Sequence, residues 1–350
     1  MLVMLSTACI HAQDATSGPW VMQSSGTKAG LRGIHAVGGG VAWASGTNGT
    51  VLRTEDSGYM WQSCAMPPGA EKLDFRGIWA WDANTAIVMS SGRGDLSRLY
   101  KTTDGCSSWK LLITNPDKDG FWDAVVFQNG DFGFAIGDAN TGVLIGDPVN
   151  GRFVTQVMLL GHGWFIDDSS CKARPGEAAF AASNSSVFIF GSRRYIIGTG
   201  GKGGSRALIS PLLATGYSDK PCREVSVPVT GGSDSAGVFS LAFRDLKHGI
   251  AVGGDYKKPS ESVGTAAWTA DGGEHWTAAE RPPHGYRSAV AWDAKAKAWI
   301  AVGTNGSDVS YDDGKTWSPL DDGNWNALSL PWVVGPEGRI AKLGTLPVRK

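Results

Sequence analysis

Net charge is almost absent from this chain: 32 Lys and Arg against 33 Asp and Glu leave −1 over 350 residues. No global field draws in nucleic acid or an anionic membrane, so a bulk electrostatic role is disfavoured and no nucleic-acid partner is expected. Long apolar runs are missing as well, and no segment approaches the ~20 apolar residues of a transmembrane helix. Cysteine is scarce, with five residues, and the six histidines are scattered. No Cys/His spacing of a zinc site occurs, and neither metal nor cofactor is expected. A phosphate loop is lacking too. Gly198-Thr-Gly-Gly-Lys-Gly-Gly204 is glycine-rich but lies between two strand-like runs, whereas a phosphate cradle needs the start of a helix.

Abundance lies elsewhere, in 49 Gly and 15 Trp. Tight turns and aromatic plugs are what an all-β repeat protein needs, and 42% hydrophobic content supplies a large core. One short motif recurs four times: Thr54-x-Asp56-x-Gly58-x-x-Trp61, Thr102-x-Asp104-Gly105-Cys106-x-x-Trp109, Thr269-x-Asp271-x-Gly273-x-x-Trp276 and Ser310-x-Asp312-x-Gly314-x-x-Trp317. The carboxylate is placed to accept from backbone N–H groups of its own turn, Gly takes a positive φ, and Trp fills the gap between sheets. This hairpin resembles the Asp-box (BNR) turn of sialidase-like β-propellers. It speaks for fold and says little about activity.

Around each turn the sequence reads strand, strand, strand, turn, strand, in period-2 stretches broken by Gly, Asp and Asn. Such units are expected at about 32–64, 76–112, 122–159, 177–213, 238–279 and 288–320. The third has strands at Asp123–Phe127, Phe132–Gly137 and Gly142–Ile145, with a degenerate turn over Gly146–Phe153. The fourth starts at Glu177-Ala-Ala-Phe-Ala-Ala. A seventh combines 326–343 with the head strand 20–24, closing a ring and removing its exposed edges. Trp20 to Trp61 and Trp276 to Trp317 are each 41 residues, the spacing of a four-stranded blade. The fold expected is a single all-β, seven-bladed propeller over 20–343. The 167 residues from Trp109 to Trp276 leave eight blades as the alternative.

The chain resembles the photosystem II assembly-factor (Ycf48-like) family of propellers, in particular its non-photosynthetic bacterial relatives. The resemblance rests on Gly46-Thr-Asn-Gly-Thr-Val-Leu-Arg-Thr-x-Asp56-x-Gly58, the Asp271 hairpin, Gly146-Asp-Pro-Val-Asn-Gly-Arg-Phe153, Gly176-Glu-Ala-Ala-Phe-Ala-Ala-Ser183 and Gly253-Gly-Asp-Tyr-Lys-Lys-Pro259. It implies a non-catalytic, chaperone-like binder of an assembly intermediate.

Residues 1–12 form a short apolar run ending in small residues, read as a truncated export signal with cleavage after Ala12. A lipoprotein reading on Cys9 is weaker, because Ser6 stands where an aliphatic residue is expected. The expected location is periplasmic or secreted. Without Cys9, four cysteines remain, an even number that suits an oxidising compartment. Cys171 with Cys222 and Cys64 with Cys106 are candidate pairs, against the alternative of four buried thiols.

In a propeller the first strand of each blade lines the central channel, and ligands sit where loops converge at its mouth. That position gives Arg32, Arg76, Asp123, Glu177, Ser240, Arg287 or Ser288, and Asn326. Beside them lie His35, Trp79, Trp122, Tyr286 and Trp325. Arginines, carboxylates and an aromatic fringe fit an anionic peptide terminus, a carboxylated sugar or an acidic loop. The alternative is a set of structural salt bridges and channel caps. A sialidase would use Arg32, Arg76 and Arg287 as a carboxylate clamp, Tyr195 or Tyr286 as nucleophile and Asp123 as acid. However, the Arg-Ile-Pro segment of that class is absent, and xyloglucanase-type enzymes flank a cleft with two propellers where this chain has length for one. Asp138, Asp147 and Asp255 read as turn caps rather than calcium ligands, and Lys257-Lys258-Pro259 as a loop insertion. The expected function is a monomeric binding scaffold for a protein or carbohydrate partner, with a glycoside hydrolase second and a purely structural module third.

Overall fold

The computed structural model describes residues 18–127, 142–149, 152–159, 163–166, 171–190, 194–211 and 221–347. Antiparallel strands account for nearly all regular structure there. The sole helical element among the described residues is a 3-10 turn at Gly94–Leu96.

The first sheet holds Leu31–Gly38, Val41–Gly46, Val51–Thr54 and Gln62–Ser63 in chain order. The second repeats this with Phe75–Ala80, Ala86–Ser90, Arg98–Thr102 and Lys110–Thr114. The third is Trp122–Phe127, Gly142–Val149, Arg152–Leu159 and Gly163–Ile166. A nine-stranded sheet follows. Its first part holds Val187–Phe190, Arg194–Gly201, Arg206–Ile209 and Arg223–Ser226, with the short Glu177–Ala178 alongside. Its second part holds Ala236–Phe243, Gly249–Asp255, Ala266–Thr269 and Thr277–Ala278, joined to the first through the single pair Gly200 and Gly237. Next come Ala289–Asp293, Ala298–Gly303, Gly306–Ser310 and Ser318–Asp321. The last sheet runs Ala327–Ser329, Trp332–Val334, Ile340–Leu343 and then Trp20–Gln23 from the other end of the chain, with Trp20 opposite Leu343 and Gln23 opposite Ile340.

The sheets stand in a ring. Leu31–Gly38 packs on Phe75–Ala80, that strand on Trp122–Phe127, and the contacts continue through Val187–Phe190, Ala236–Phe243, Ala289–Asp293 and Ala327–Ser329 back to Leu31–Gly38. Alternation within each strand sends apolar side chains into the wedge between neighbouring sheets. One wedge joins Trp43 and Val51 to Phe75, Val88, Tyr100 and Trp109. The closing wedge joins Trp20 to Ile300, Trp325, Val333 and Ala341, and the Trp20 indole N–H donates to Ser307 Oγ at 2.9 Å.

Two units differ from the sequence reading. In the third, Trp122–Phe127 pairs directly with Gly142–Val149, so the run expected third in order is second. The segment expected between them, Phe132–Gly137, lies outside the described residues, as do Asp138 and the export-signal residues 1–12. In the fourth, the run beginning at Glu177 is not the inner strand. Only Glu177–Ala178 pairs, with Gly200 and Gly201, and Val187–Phe190 takes the inner position. The intervening small residues cross the ring instead.

Candidate functional site

The four Asp-x-Gly/Cys-x-x-Trp turns share one bonding pattern. Thr54 Oγ1 donates to Asp56 Oδ1 (2.8 Å) and accepts from the Gly58 N–H (3.0 Å), while Asp56 Oδ1 accepts from the Met60 N–H (3.0 Å). The same triplet recurs at Thr102/Asp104, Thr269/Asp271 and Ser310/Asp312. Gly58 has φ +86°, and Cys106 takes the equivalent position at +64°. The Ser108 hydroxyl and amide, with Thr102, hold the Asp104 carboxyl down to about 2. These carboxylates are consumed by their own turns and lie at the ring's periphery. The half-cystine in the second turn bonds to Cys64, tying the first two sheets together, and Cys171 bonds to Cys222.

The centre of the ring is different. From Ala181 the chain crosses it as Ala182-Ser183-Asn184-Ser185. Asn184 behaves like a strand partner: its Oδ1 accepts from the Val125 N–H at 2.8 Å, and its Nδ2 donates to the Val125 carbonyl at 2.8 Å. Ser183 Oγ donates to the Ser288 carbonyl (2.7 Å) and Ser185 Oγ to Ser240 Oγ (2.8 Å), which in turn accepts from the Val290 N–H (3.1 Å). The crossing is therefore bonded to inner strands on several sides, and it separates two chambers.

The first chamber, a cavity of about 510 Å³, brings together Arg32, Arg76, Asp123, Tyr286, Ser288 and Asn326 of the sequence-based set. Arg76 Nε donates to Asp74 Oδ2 at 2.8 Å. Arg32 Nε faces Asp74 Oδ1 at 3.7 Å, too far for a hydrogen bond, and both atoms are buried without a hydrogen-bond partner among the described residues. Burial lowers the Arg32 guanidinium's affinity for its proton, partly offset by Asp74. Two guanidiniums thus share one carboxylate, and one of them is loosely held. Asp123 is 1% exposed in the wall. Tyr286 is raised above the ordinary phenol range by burial.

Aromatic rings that the sequence reading did not single out complete this chamber: Phe121, Phe180, Phe239 and Tyr256. Phe180 stacks on Phe239 at 3.9 Å, and Phe239 meets Tyr286 edge-on at 4.8 Å. A Cβ on Gly237 would lie 2.6 Å from the Phe180 ring and one on Gly200 2.7 Å, so the bare backbone at both positions makes room for it. Phe180 was visible in the sequence only as one member of a run read as a strand.

Other members of the set are elsewhere. Arg287 is fully buried in an ion pair with Asp308, its Nε donating to Oδ2 at 2.7 Å, with His284 and Asn305 around it. The three-arginine clamp therefore does not assemble. Glu177 is buried and accepts from Thr199 Oγ1 (2.5 Å) and Arg206 Nε (2.5 Å). Trp122 and Trp325 are core residues at 1% exposure, the latter donating to Asp321 Oδ2 at 3.0 Å. Tyr195 is fully buried in the core of the fourth unit with Val187, Ile197 and Leu208, and does not line the first chamber. Trp79 and His35 line the second chamber, on the far side of the crossing. Asp255 accepts from the Lys257 N–H at 3.0 Å, as a turn cap does. No group of three or more His, Cys, Asp or Glu suited to a metal occurs among the described residues, and no helix there is long and apolar enough to cross a membrane.

No family model matches this sequence, and no curated protein matches it. Solved structures do resemble the fold. Ycf48 bound to a D1 peptide aligns with 94% of this chain and 98% of its own, at TM-score 0.62 and 14% identity. The WD40 β-propeller domain of Doa1 aligns with 92% of this chain and 96% of its own, at TM-score 0.59 and 10% identity. The ring of antiparallel sheets is a β-propeller.

Proposed function

We propose that this protein is an exported, non-catalytic scaffold, a monomeric seven-bladed propeller with Asp-box turns, that captures an anionic segment of a protein partner at the arginine-lined chamber. The observation that carries the reading is the pair Arg32 and Arg76 sharing Asp74 beside the Phe180–Phe239–Tyr286 cluster. A guanidinium partly desolvated and incompletely bonded gains from an incoming carboxylate, because part of the cost of burial has been met before the ligand arrives. Rings alongside offer apolar area to the same ligand. The inner strands' cyclic order supports the count of seven, and the two disulfides support an oxidising compartment. The likeness to a propeller solved with a peptide supports a peptide-like ligand as the first to try.

The test is titration of the purified chain with fluorescent acidic peptides and, in parallel, uronic-acid oligosaccharides. Charge reversal at Arg32 and Arg76 together is expected to weaken acidic-peptide capture about 100-fold, from loss of two charge-assisted contacts. Reversal of Arg93, 72% exposed on a peripheral loop, is the control and leaves it unchanged. Undiminished capture by the Arg32/Arg76 double variant would reject the site. Capture of the oligosaccharide alone would reject the partner class.

A further inference from the structure

The second chamber has a chemistry of its own, independent of the arginine-lined mouth. It encloses about 280 Å³ on the opposite side of the Ser183–Ser185 crossing. His35 and Trp79 lie ring against ring at 4.2 Å along one wall, and Phe127, Phe188 and Leu328 form the others. The walls are otherwise aliphatic, and the crossing's polar side chains are already engaged: Ser183, Asn184 and Ser185 bond to strand groups. On the last sheet, Ser329 Oγ accepts from the Ala36 N–H at 2.9 Å. What remains is the imidazole. It meets the Trp79 ring at a 41° tilt, and no hydrogen bond holds either of its nitrogens among the described residues. Burial lowers its pKa to about 4, so at neutral pH it carries one acceptor nitrogen and one N–H.

We infer that this chamber is a binding site for a one- or two-ring phenol. The rings of the ligand pack against Trp79 and Phe127, and its hydroxyl hydrogen-bonds the His35 imidazole. Size agrees: a dry cavity of ~150 Å³ suffices for benzene, so twice that volume takes a substituted ring or two fused ones. Polarity agrees as well. A carboxylate or ammonium would lose part of its water here and meet no counter-charge among the lining residues, whereas a neutral hydroxyl gives up less and finds a partner in the imidazole. Aliphatic ligands would fill the space but leave the imidazole unbonded.

Calorimetric titration of the intact chain with 4-methylphenol and 2-naphthol tests this, alongside toluene and naphthalene. Imidazole resonances of His35 are followed by NMR. Saturable binding of the phenols is expected, about tenfold tighter than their hydroxyl-free counterparts, with His35 signals shifting at saturation. His35→Phe is expected to erase that tenfold preference while keeping hydrocarbon binding, and Ile189→Trp, which fills the chamber, to abolish both. Thermal melts establish that each variant is folded, and the Arg32/Arg76 double variant is expected to bind phenols normally. Absence of saturable binding at millimolar phenol would overturn the site. Equal affinity for phenol and hydrocarbon, or an unmoved His35 signal, would overturn the assigned contact.

Discussion

Single side chains in this ring divide into those spent on architecture and those left over. Arg287 and Arg32 come from the same position in their repeats, yet one is locked against Asp308 and the other meets Asp74 only at 3.7 Å. Sequence position identified both; only the carboxylate that each meets separates them. That partner is set by register, which residue types do not encode. His35 allows a prediction at this scale. In the unfolded chain it titrates near 6.5, and in the folded chain near 4. Below pH 6.5 the unfolded state therefore binds a proton that the folded state refuses. Stability is unaffected by this group above pH 6.5 and falls as pH drops toward 4, by at most about 3 kcal/mol, because the ring keeps part of its surface exposed. Urea unfolding across that range should show the slope, and His35→Phe should flatten it. The turn carboxylates, held below their usual 3.8, act only at lower pH, so the two windows are distinct.

At the scale of elements, the Asp-x-Gly-x-x-Trp turns were the most legible feature, because their bonds are made within eight residues of sequence. Thr269 is the hub of its turn, donating to Asp271 and accepting from the Gly273 amide. Thr269→Val keeps the shape and removes both bonds in a buried setting, with an expected loss of about 1–3 kcal/mol. Equilibrium denaturation measures it, and Thr269→Ser should recover most of the loss. The crossing at Ser183–Ser185 was illegible for the opposite reason. A run of Ala and Ser has no alternation to betray its path, and its bonds go to strands tens of residues away. Asn184 also holds φ +62°, which Asn tolerates better than most. Asn184→Leu is expected to cost about 2–4 kcal/mol, from unpaired groups on Val125 and strain, and to open the two chambers into each other. Cross-protection by a phenol against modification at the arginine-lined mouth would reveal the merger; unchanged stability would show the crossing to be dispensable.

For the molecule as a whole, the repeat spacing made the ring readable, since Trp positions 41 residues apart leave room for four strands and little else. The first chamber was readable in part, since Arg32, Arg76, Asp123, Tyr286, Ser288 and Asn326 follow from the blade position that faces the channel, but its Phe180 wall and the crossing that divides it from the second chamber were not. Global stability should depend on the two disulfides, which close loops of 42 and 51 residues. The chain-entropy relation gives about 4 kcal/mol for each. Melting in the presence of a strong thiol reductant should therefore fall well below melting under oxidising conditions, and a Cys64→Ser/Cys106→Ser variant should reproduce part of the drop.

The pairing of Trp20–Gln23 with Ile340–Leu343 has a consequence in time. Trp20–Gln23 is made more than 300 residues before its partner, so through that stretch of synthesis it has no sheet to join. Each intermediate sheet can hydrogen-bond locally as it emerges, but the circle stays open until Ile340–Leu343 is made and Trp20–Gln23 pairs with it. Folding of this protein is thus a race between emergence of Ile340–Leu343 and capture of the waiting Trp20–Gln23 strand by something else.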